Sequence, residues 1–452
     1  MKELRIKDNS FENRMSFSEI MSVVKAVADK TLGQLDREGI FIFPEIFSEA
    51  EDLTKEQMIL QSVNDSFQAG NIMGFLGVGD ERLIITSRFS SGNNDFLFQY
   101  LLERVLDFPN IVNMDADARE GDQLFNLLLF LFPKYLKYAM RKGIFKTYIR
   151  NRYNDRNPKG SMDIPRHIRQ NIPFVGNIAY SQREYSYDNY LLELIRHTVE
   201  YIKDKPYGKK ILNQAKDEVR LVMDVTSDYS IYDRKRIIEK NKRTVIRHAY
   251  FREYRALQQL CILILQNRKH QIGVGARRAY GLLFDGTWLW EEYINLLLGE
   301  FFYHPMNKSK LGGQYLFAGN KGTIYPDFIS RDTENRIIAD AKYKPMNNIG
   351  NKDYLQVLAY MFRFEAKQGF YFYPEIEDEN KVSLWLNKGS SYEGKVESDK
   401  DICVTKYGLK IPKDIDCYDD FVKEIKLQEE EFRSEFLVTT KKFCPAGGWS
   451  DE

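Results

Sequence analysis

The 452 residues predict a multidomain chain of mixed α+β and α/β class: a sheet-rich front, a helical middle and a compact C-terminal core. Three observations carry that expectation. Short runs of β-branched and aromatic residues, broken by glycine turns, fill the first hundred or so positions. Apolar residues then recur at helical spacing between Gly121 and Gln266. Beyond them, Thr323 to Lys344 (TIYPDFISRDTENRIIADAKYK) reads as a charged hairpin flanked by two amphipathic helices. The expected divisions are 1–120, 121–270, 271–385 and 386–452, each of ordinary domain size or smaller.

In the front, Gly39 to Phe47 (GIFIFPEIF) and Ile72 to Phe89 are strand-forming. The second reads as a strand pair turning at Gly79-Asp80, followed by an amphipathic helix over Phe96 to Leu106. No catalytic constellation is visible there, which points to a binding module. In the middle, LFNLLLFLFPKYLKYAMRKG is helical and stops at Gly143. After Ile144 to Arg152 comes a loop at Asn157-Pro158-Lys159-Gly160. Ser161 to Gln170 then leads to a helix over Tyr187 to Ile202, and helical spacing continues over Lys209 to Ala215 and Ala249 to Gln266. Gly273 to Gly281 reads as a loop into the core; its glycines are too few for a phosphate loop. No G-x-x-x-x-G-K-[ST] occurs in the chain, so it is not by itself a P-loop NTPase. Past Pro374 follow an acidic loop (Glu375 to Asn380), a strand pair (Lys381 to Trp385, Asp401 to Leu409) and, from Cys417, a charged helix with a short Gly-rich end.

Charge is informative only locally. Lys and Arg number 66 against 65 Asp and Glu, so the whole chain gives no sign of a polyanionic partner. Lys134 to Gln170, however, holds eleven Lys or Arg and only Asp155 and Asp163. A second basic run, Arg234 to Arg255, lies among Tyr232, Tyr250, Phe251 and Tyr254. Basic residues interleaved with aromatics suit phosphate contacts with stacking partners. The four cysteines (Cys261, Cys403, Cys417, Cys444) have neither zinc nor disulfide-scaffold spacing. The opening MKELRIKDNS has no apolar core of a signal peptide, and Leu127 to Phe132 is too short to span a bilayer. A soluble cytoplasmic protein with no membrane partner is expected.

The chemistry is concentrated in the hairpin. Its polar turn, Asp332-Thr333-Glu334-Asn335, lies midway between Asp327 and Asp340. A symmetric turn therefore sets those carboxylates opposite each other on neighbouring strands. Lys342, two residues after Asp340, shares its face. Two carboxylates and a lysine at one point suit metal-assisted phosphodiester hydrolysis: hard oxygens for Mg²⁺ and an ammonium for developing phosphate charge. The helix Leu289 to Leu298 offers Glu291 as a third carboxylate. It is preferred over Glu292 because Trp288, Ile294 and Leu298 flank it at helical spacing. The helix following the hairpin puts Gln356 and Tyr360 on one face. Clustered carboxylates repel when no metal is bound, so Asp340→Ala is expected to stabilise the fold while abolishing cleavage.

This order of elements resembles the PD-(D/E)xK nuclease superfamily, in particular its RecB-like branch. Farther out, LFNLLLFLFPKYLKYAMRKGIFKTYI, the segment Asn157 to Ile168 and the helix Leu191 to Ile202 resemble blocks of the McrC family, nuclease subunits of McrBC-type restriction systems. The resemblance runs from about Gly121 to Pro374. Lys159-Gly160-Ser161 stands where that family has Arg-Gly-Arg. The resemblance implies a PD-(D/E)xK restriction-endonuclease-like core with Asp327, Asp340 and Lys342 at the D…DxK positions, Mg²⁺ as cofactor and double-stranded DNA as substrate. It further implies Gln356 and Tyr360 on the DNA side, and a hexameric AAA+ GTPase partner bound through residues 1–120. Because the core strands and helices are expected downstream of those residues, they are expected to be dispensable for the nuclease fold. Two other readings are a non-catalytic activator of the AAA+ partner and a stand-alone RecB-like nuclease.

Overall fold

The computed structural model describes residues 2–38, 40–43, 56–91, 95–106, 120–205, 207–244, 246, 249–266, 279–305, 313–376, 381–388 and 397–441. The chain forms two compact units, Met1–Val112 with Ala276–Glu452, and Asn113–Gly275. The glycine-rich approach to the core (273–278), most of the acidic loop and the Gly-rich end lie outside the described residues, as does most of Gly39 to Phe47.

In the first unit, Ile72–Val78 and Glu81–Thr86 form the expected antiparallel pair, with Gly79 at φ 64 in the turn. Lys2–Lys7 extends this sheet in parallel beside Glu81–Thr86. Its other side corrects the expected boundary. Tyr280–Asp285, assigned by sequence to the C-terminal core, pairs antiparallel with Ile72–Val78 and parallel with Phe41–Phe43. Leu282, Leu283 and Phe284 are fully buried there. A continuous apolar run needs cover on both faces, and the front sheet provides two strand partners for it. The two strands approach so closely that a Cβ on Gly74 (φ +133) would lie 2.1 Å from the Leu282 carbonyl oxygen. Residues 1–120 are therefore not a module apart from the core: a core strand is threaded through their sheet.

The second sheet of this unit has the order Phe302–Tyr303, Phe328–Ser330, Ile337–Ala341, Gln368–Glu375, Glu397–Lys410, Val382–Lys388. Gln368–Glu375 is parallel to both neighbours and buried along its whole length. Its side chains alternate between two helical layers. Tyr371 and Tyr373 join the cluster with Val357, Tyr360 and Met361 of helix Asn351–Arg363. Phe370 and Phe372 meet Phe436 of helix Tyr418–Lys441 at 5.2 and 5.8 Å between ring centres. Gly369 permits the first contact, since a Cβ there would sit 2.7 Å from Met361 Sδ. Helix Gly286–Leu298 docks through Trp290 Nε1, which donates to the Phe372 carbonyl at 3.0 Å. Glu429 of the last helix accepts from both Tyr100 and Tyr293 hydroxyls at 2.7 Å. The expected division at residue 385 thus falls inside a paired hairpin, and the segment beyond it completes the core.

The second unit contains more sheet than expected. Thr147–Asp155 and Ile178–Ser186 pair antiparallel, with Ser161–Met162 at the edge, amid helices including Glu120–Met140, Tyr190–Lys203, Arg234–Arg243 and Glu253–Gln266. Two cations sit over exposed rings at this hairpin: Lys146, from the first basic run, over Tyr187 at 4.4 Å, and Arg183, from the partner strand outside that run, over Tyr148 at 5.2 Å. Tyr254, expected beside the second run as a stacking partner, is instead fully buried. Its hydroxyl donates to the Gly143 carbonyl and accepts from the Phe145 amide, so it closes a helix end rather than meeting a ligand. Cys261 and Cys403 are buried free thiols, Cys417 is exposed, and Cys444 lies outside the described residues. Among the described residues no helix is long and apolar enough to cross a membrane.

Candidate active site

The hairpin register is set by its turn. Asp332 Oδ1 accepts from the amides of Glu334 (2.8 Å) and Asn335 (3.1 Å), and these bonds hold its carboxyl below the usual range despite partial burial. Ser330 Oγ accepts from Ile337 N at 2.9 Å. Phe328 then faces Ala339 and Ile329 faces Ile338. Continued by one step, the register sets Asp327 opposite Asp340, as the symmetric turn predicts. Asp327 Oδ2 accepts from Ala341 N at 2.9 Å, which aims its carboxylate at the neighbouring strand.

Asp340 is 2% exposed, and its Oδ2 lies 2.5 Å from Lys342 Nζ. Burial disfavours the Lys342 charge, but Asp340 and Asp327 outweigh that and hold its ammonium well above the ordinary lysine range. Lys342 Nζ also donates to Gln356 Oε1 at 3.3 Å, and Gln356 Nε2 donates to the Tyr360 hydroxyl at 2.7 Å. The helix face predicted from four-residue spacing is thus connected to the lysine. Burial raises the Tyr360 hydroxyl to about 12, so it stays protonated. Asp353, in the first turn of that helix, pairs with Lys344 at 2.7 Å and lies 3.7 Å from Lys342. Burial would raise its carboxyl, but Lys344, the Gly350 amide and Lys342 together keep it below the usual range.

Glu291 comes from the helix that Asp285 caps by accepting from Thr287 N at 2.9 Å. Glu291 is 4% exposed and lines the same cavity as Asp327, Asp340 and Lys342, a space of about 580 Å³. Glu292 takes the indole N–H of Trp288 instead and is not part of the lining. His304 was missed in the sequence, although it is the last histidine of the chain. Its Nδ1 lies 2.9 Å from the Asp327 carbonyl oxygen and its Nε2 lies 3.5 Å from Glu291 Oε1. Burial lowers its basicity, but Glu292, Glu291 and the Asp327 carbonyl more than reverse this, so its pKa is raised. Also missed were Asn9, Asn71 and Arg88 of the front sheet, which line the cavity too. Among the described residues, no three His, Cys, Asp or Glu side chains are gathered closely enough, as they stand, to hold a metal ion.

The site falls within a match to known proteins. Residues 67–374, well over half of the chain, match the profile of a family described as McrBC 5-methylcytosine restriction system component. Two solved structures from Thermococcus gammatolerans are similar. McrC bound to McrB AAA+ hexamers, in a half-complex refined from a tetradecameric assembly, shares 14% identity over 97% of this chain and 100% of that one, with a TM-score of 0.48. The McrBC complex seen by cryo-electron microscopy shares 16% over 66% and 87%, with a TM-score of 0.30. No curated protein sequence matches the chain. From the extent of the family match, the chain belongs to the McrBC 5-methylcytosine restriction system component family.

Proposed function

We propose that this chain is the Mg²⁺-dependent nuclease subunit of an McrBC-like restriction complex, cutting phosphodiester bonds in double-stranded DNA within the cytoplasm. The observation that supports it best is the register that sets Asp327 opposite Asp340, with Lys342 paired to Asp340 at 2.5 Å in one polar cavity. Buried charges on a core strand are costly unless they serve a purpose, and this set suits a PD-(D/E)xK restriction-endonuclease-like core. The donors fit magnesium, which is commonly held by one or two carboxylates with water filling the remaining positions, so a prebuilt three-carboxylate cage is not required. Asp327 and Asp340 would hold the ion, with Glu291 as the third oxygen donor. A bound magnesium supplies Lewis acidity and makes water a nucleophile near neutral pH.

The chain's own residues do the rest. Lys342, kept cationic by its neighbours, offers N–H donors to the phosphoryl oxygens as their charge grows. Gln356, bonded to both Lys342 and Tyr360, fixes where that ammonium points. Family membership supports a motor on another chain, an McrB-like AAA+ GTPase hexamer contacted through residues 1–120. The cation and aromatic face of the middle unit is proposed to meet DNA. Plasmid cleavage by the chain co-purified with its AAA+ partner tests the reading. Asp340→Ala and Lys342→Ala should abolish Mg²⁺-dependent cuts while still stimulating nucleotide hydrolysis. Stimulation without any cleavage by the unaltered chain would favour the non-catalytic activator.

A further inference from the structure

The cavity has two chemically different walls. One carries Asp327, Asp340 and Glu291. The other is built by the front sheet, from the turns that follow Lys2–Lys7 (Asn9), precede Ile72–Val78 (Asn71) and follow Glu81–Thr86 (Arg88). Strand directions bring these turns together. Lys2–Lys7 and Glu81–Thr86 run parallel and Ile72–Val78 runs against them, so all three positions fall at one end of the sheet. Tyr280–Asp285 finishes at that same end and leads directly into the helix bearing Glu291.

The second wall consists of donors. Arg88 is held by buried Asp8, to which it donates through Nε at 2.9 Å and Nη2 at 2.5 Å. Its Nη2 also bonds Asn71 Oδ1, and its guanidinium stacks on Tyr343 at 5.2 Å. That leaves Nη1 without a hydrogen-bond partner among the described residues. Because Asn71 accepts through Oδ1, its amide N–H₂ is available as a donor. The Asn9 side chain makes no bond among the described residues either, and its backbone sits at φ 54. The guanidinium and amide N–H groups of this wall match a group that is anionic and presents oxygen acceptors on every side; the carboxylates opposite do not bind such a group directly.

We infer that Arg88, with Asn71 and Asn9, forms a phosphate clamp that the front sheet contributes to the nuclease cleft, gripping a DNA backbone phosphate beside the one to be cut. This rests on the nuclease reading above and gives the front sheet a role in substrate binding. Asp8 pre-sets the guanidinium, so little rotamer freedom is lost when the phosphate arrives.

The test is binding of a fluorescent DNA duplex to the full chain in Ca²⁺, followed by anisotropy across a salt series. Arg88→Gln should weaken binding about tenfold and reduce the slope of log affinity against log salt by roughly 0.9, the value of one phosphate contact. Asp8→Asn breaks the same buried pair but keeps the cation, so its slope should match the unaltered chain. Asn9→Gly tolerates the positive φ and removes only the amide; it should weaken binding with the slope unchanged. The clamp is overturned if Arg88→Gln keeps the full slope, if Asp8→Asn loses as much slope as Arg88→Gln, or if Asn9→Gly binds normally. Mg²⁺-dependent cleavage by the unaltered chain co-purified with its AAA+ partner, measured alongside, separates the two ideas. Cutting that survives with an intact slope in Arg88→Gln sinks only the clamp, whereas no cutting or binding by the unaltered chain sinks both.

Discussion

Asp340→Ala should destabilise the metal-free protein, contrary to what clustered carboxylates alone suggest. The structure pairs Asp340 with Lys342 at 2.5 Å, and the lysine side chain is only 18% exposed. Removing one member of a buried pair typically costs about 3–5 kcal/mol, because the remaining charge loses its compensation. Lys342 keeps some: Gln356 Oε1 at 3.3 Å, Asp353 at 3.7 Å and the field of Asp327. About half the full cost, roughly 2 kcal/mol, is therefore expected. Urea unfolding in EDTA measures it, and the double variant Asp340→Ala/Lys342→Met isolates the pair. With both charges gone the loss should shrink to within about 1 kcal/mol of the unaltered protein, a positive coupling between contacting residues. Added Mg²⁺ should stabilise the unaltered protein and leave Asp340→Ala unmoved. A single variant as stable as the parent, or more so, would mean that repulsion among the carboxylates dominates and that the Lys342 pair is worth little.

Three further outcomes are expected. Glu291→Ala should raise the Mg²⁺ concentration needed for half-maximal cleavage at least several-fold while Glu292→Ala leaves it unchanged, since only Glu291 lines the cavity; the reverse order in a metal titration would exchange their roles. His197 is fully buried, both ring nitrogens lack partners among the described residues, and burial followed by the Arg234 charge lowers it to about 4. Below about pH 6.5 the unfolded chain binds a proton that the folded one resists. Stability therefore falls with pH, by about 2 kcal/mol between pH 7 and 5, and His197→Phe should remove that fall in paired urea titrations. A truncation starting at Gly121 should be insoluble. It strips Tyr280–Asp285 of both strand partners and exposes Leu282, Leu283 and Phe284, worth about 1.5–3 kcal/mol each, a large part of a domain's net stability. A soluble, folded truncation would restore the independent front module.

The site was legible where its geometry is local. Asp327 and Asp340 lie equidistant from one polar turn, so counting residues gives the register, and Lys342, Gln356 and Tyr360 follow from strand and helix periodicity. Glu291 could be preferred over Glu292 from the apolar residues around it. What sequence could not supply were partners fixed by tertiary packing. The run GLLF around Leu282 demands burial but does not say in which sheet. Nothing near Asn9, Asn71 or Arg88 signals a cleft built some 250 residues later in the chain. His304 and the burial of Tyr254 share that character. The sign expected for Asp340→Ala reverses for a related reason: sequence shows the acids as neighbours of one another, whereas distance shows Asp340 paired with Lys342.

The late strand inside an early sheet also dictates an order of events during synthesis. When the ribosome has made the first hundred residues, Ile72–Val78 has Glu81–Thr86 on one side and an open edge on the other. That edge waits until Tyr280–Asp285 emerges, almost two hundred residues later. Meanwhile the whole of Asn113–Gly275 is translated and free to fold as a closed insertion. An unpaired strand edge is a template for other chains, and pairing over such a separation is slow. The nascent chain is thus most prone to aggregate in that interval. Slowing elongation between residues 113 and 276 would lengthen the exposure and lower soluble yield, without altering a single contact of the finished protein.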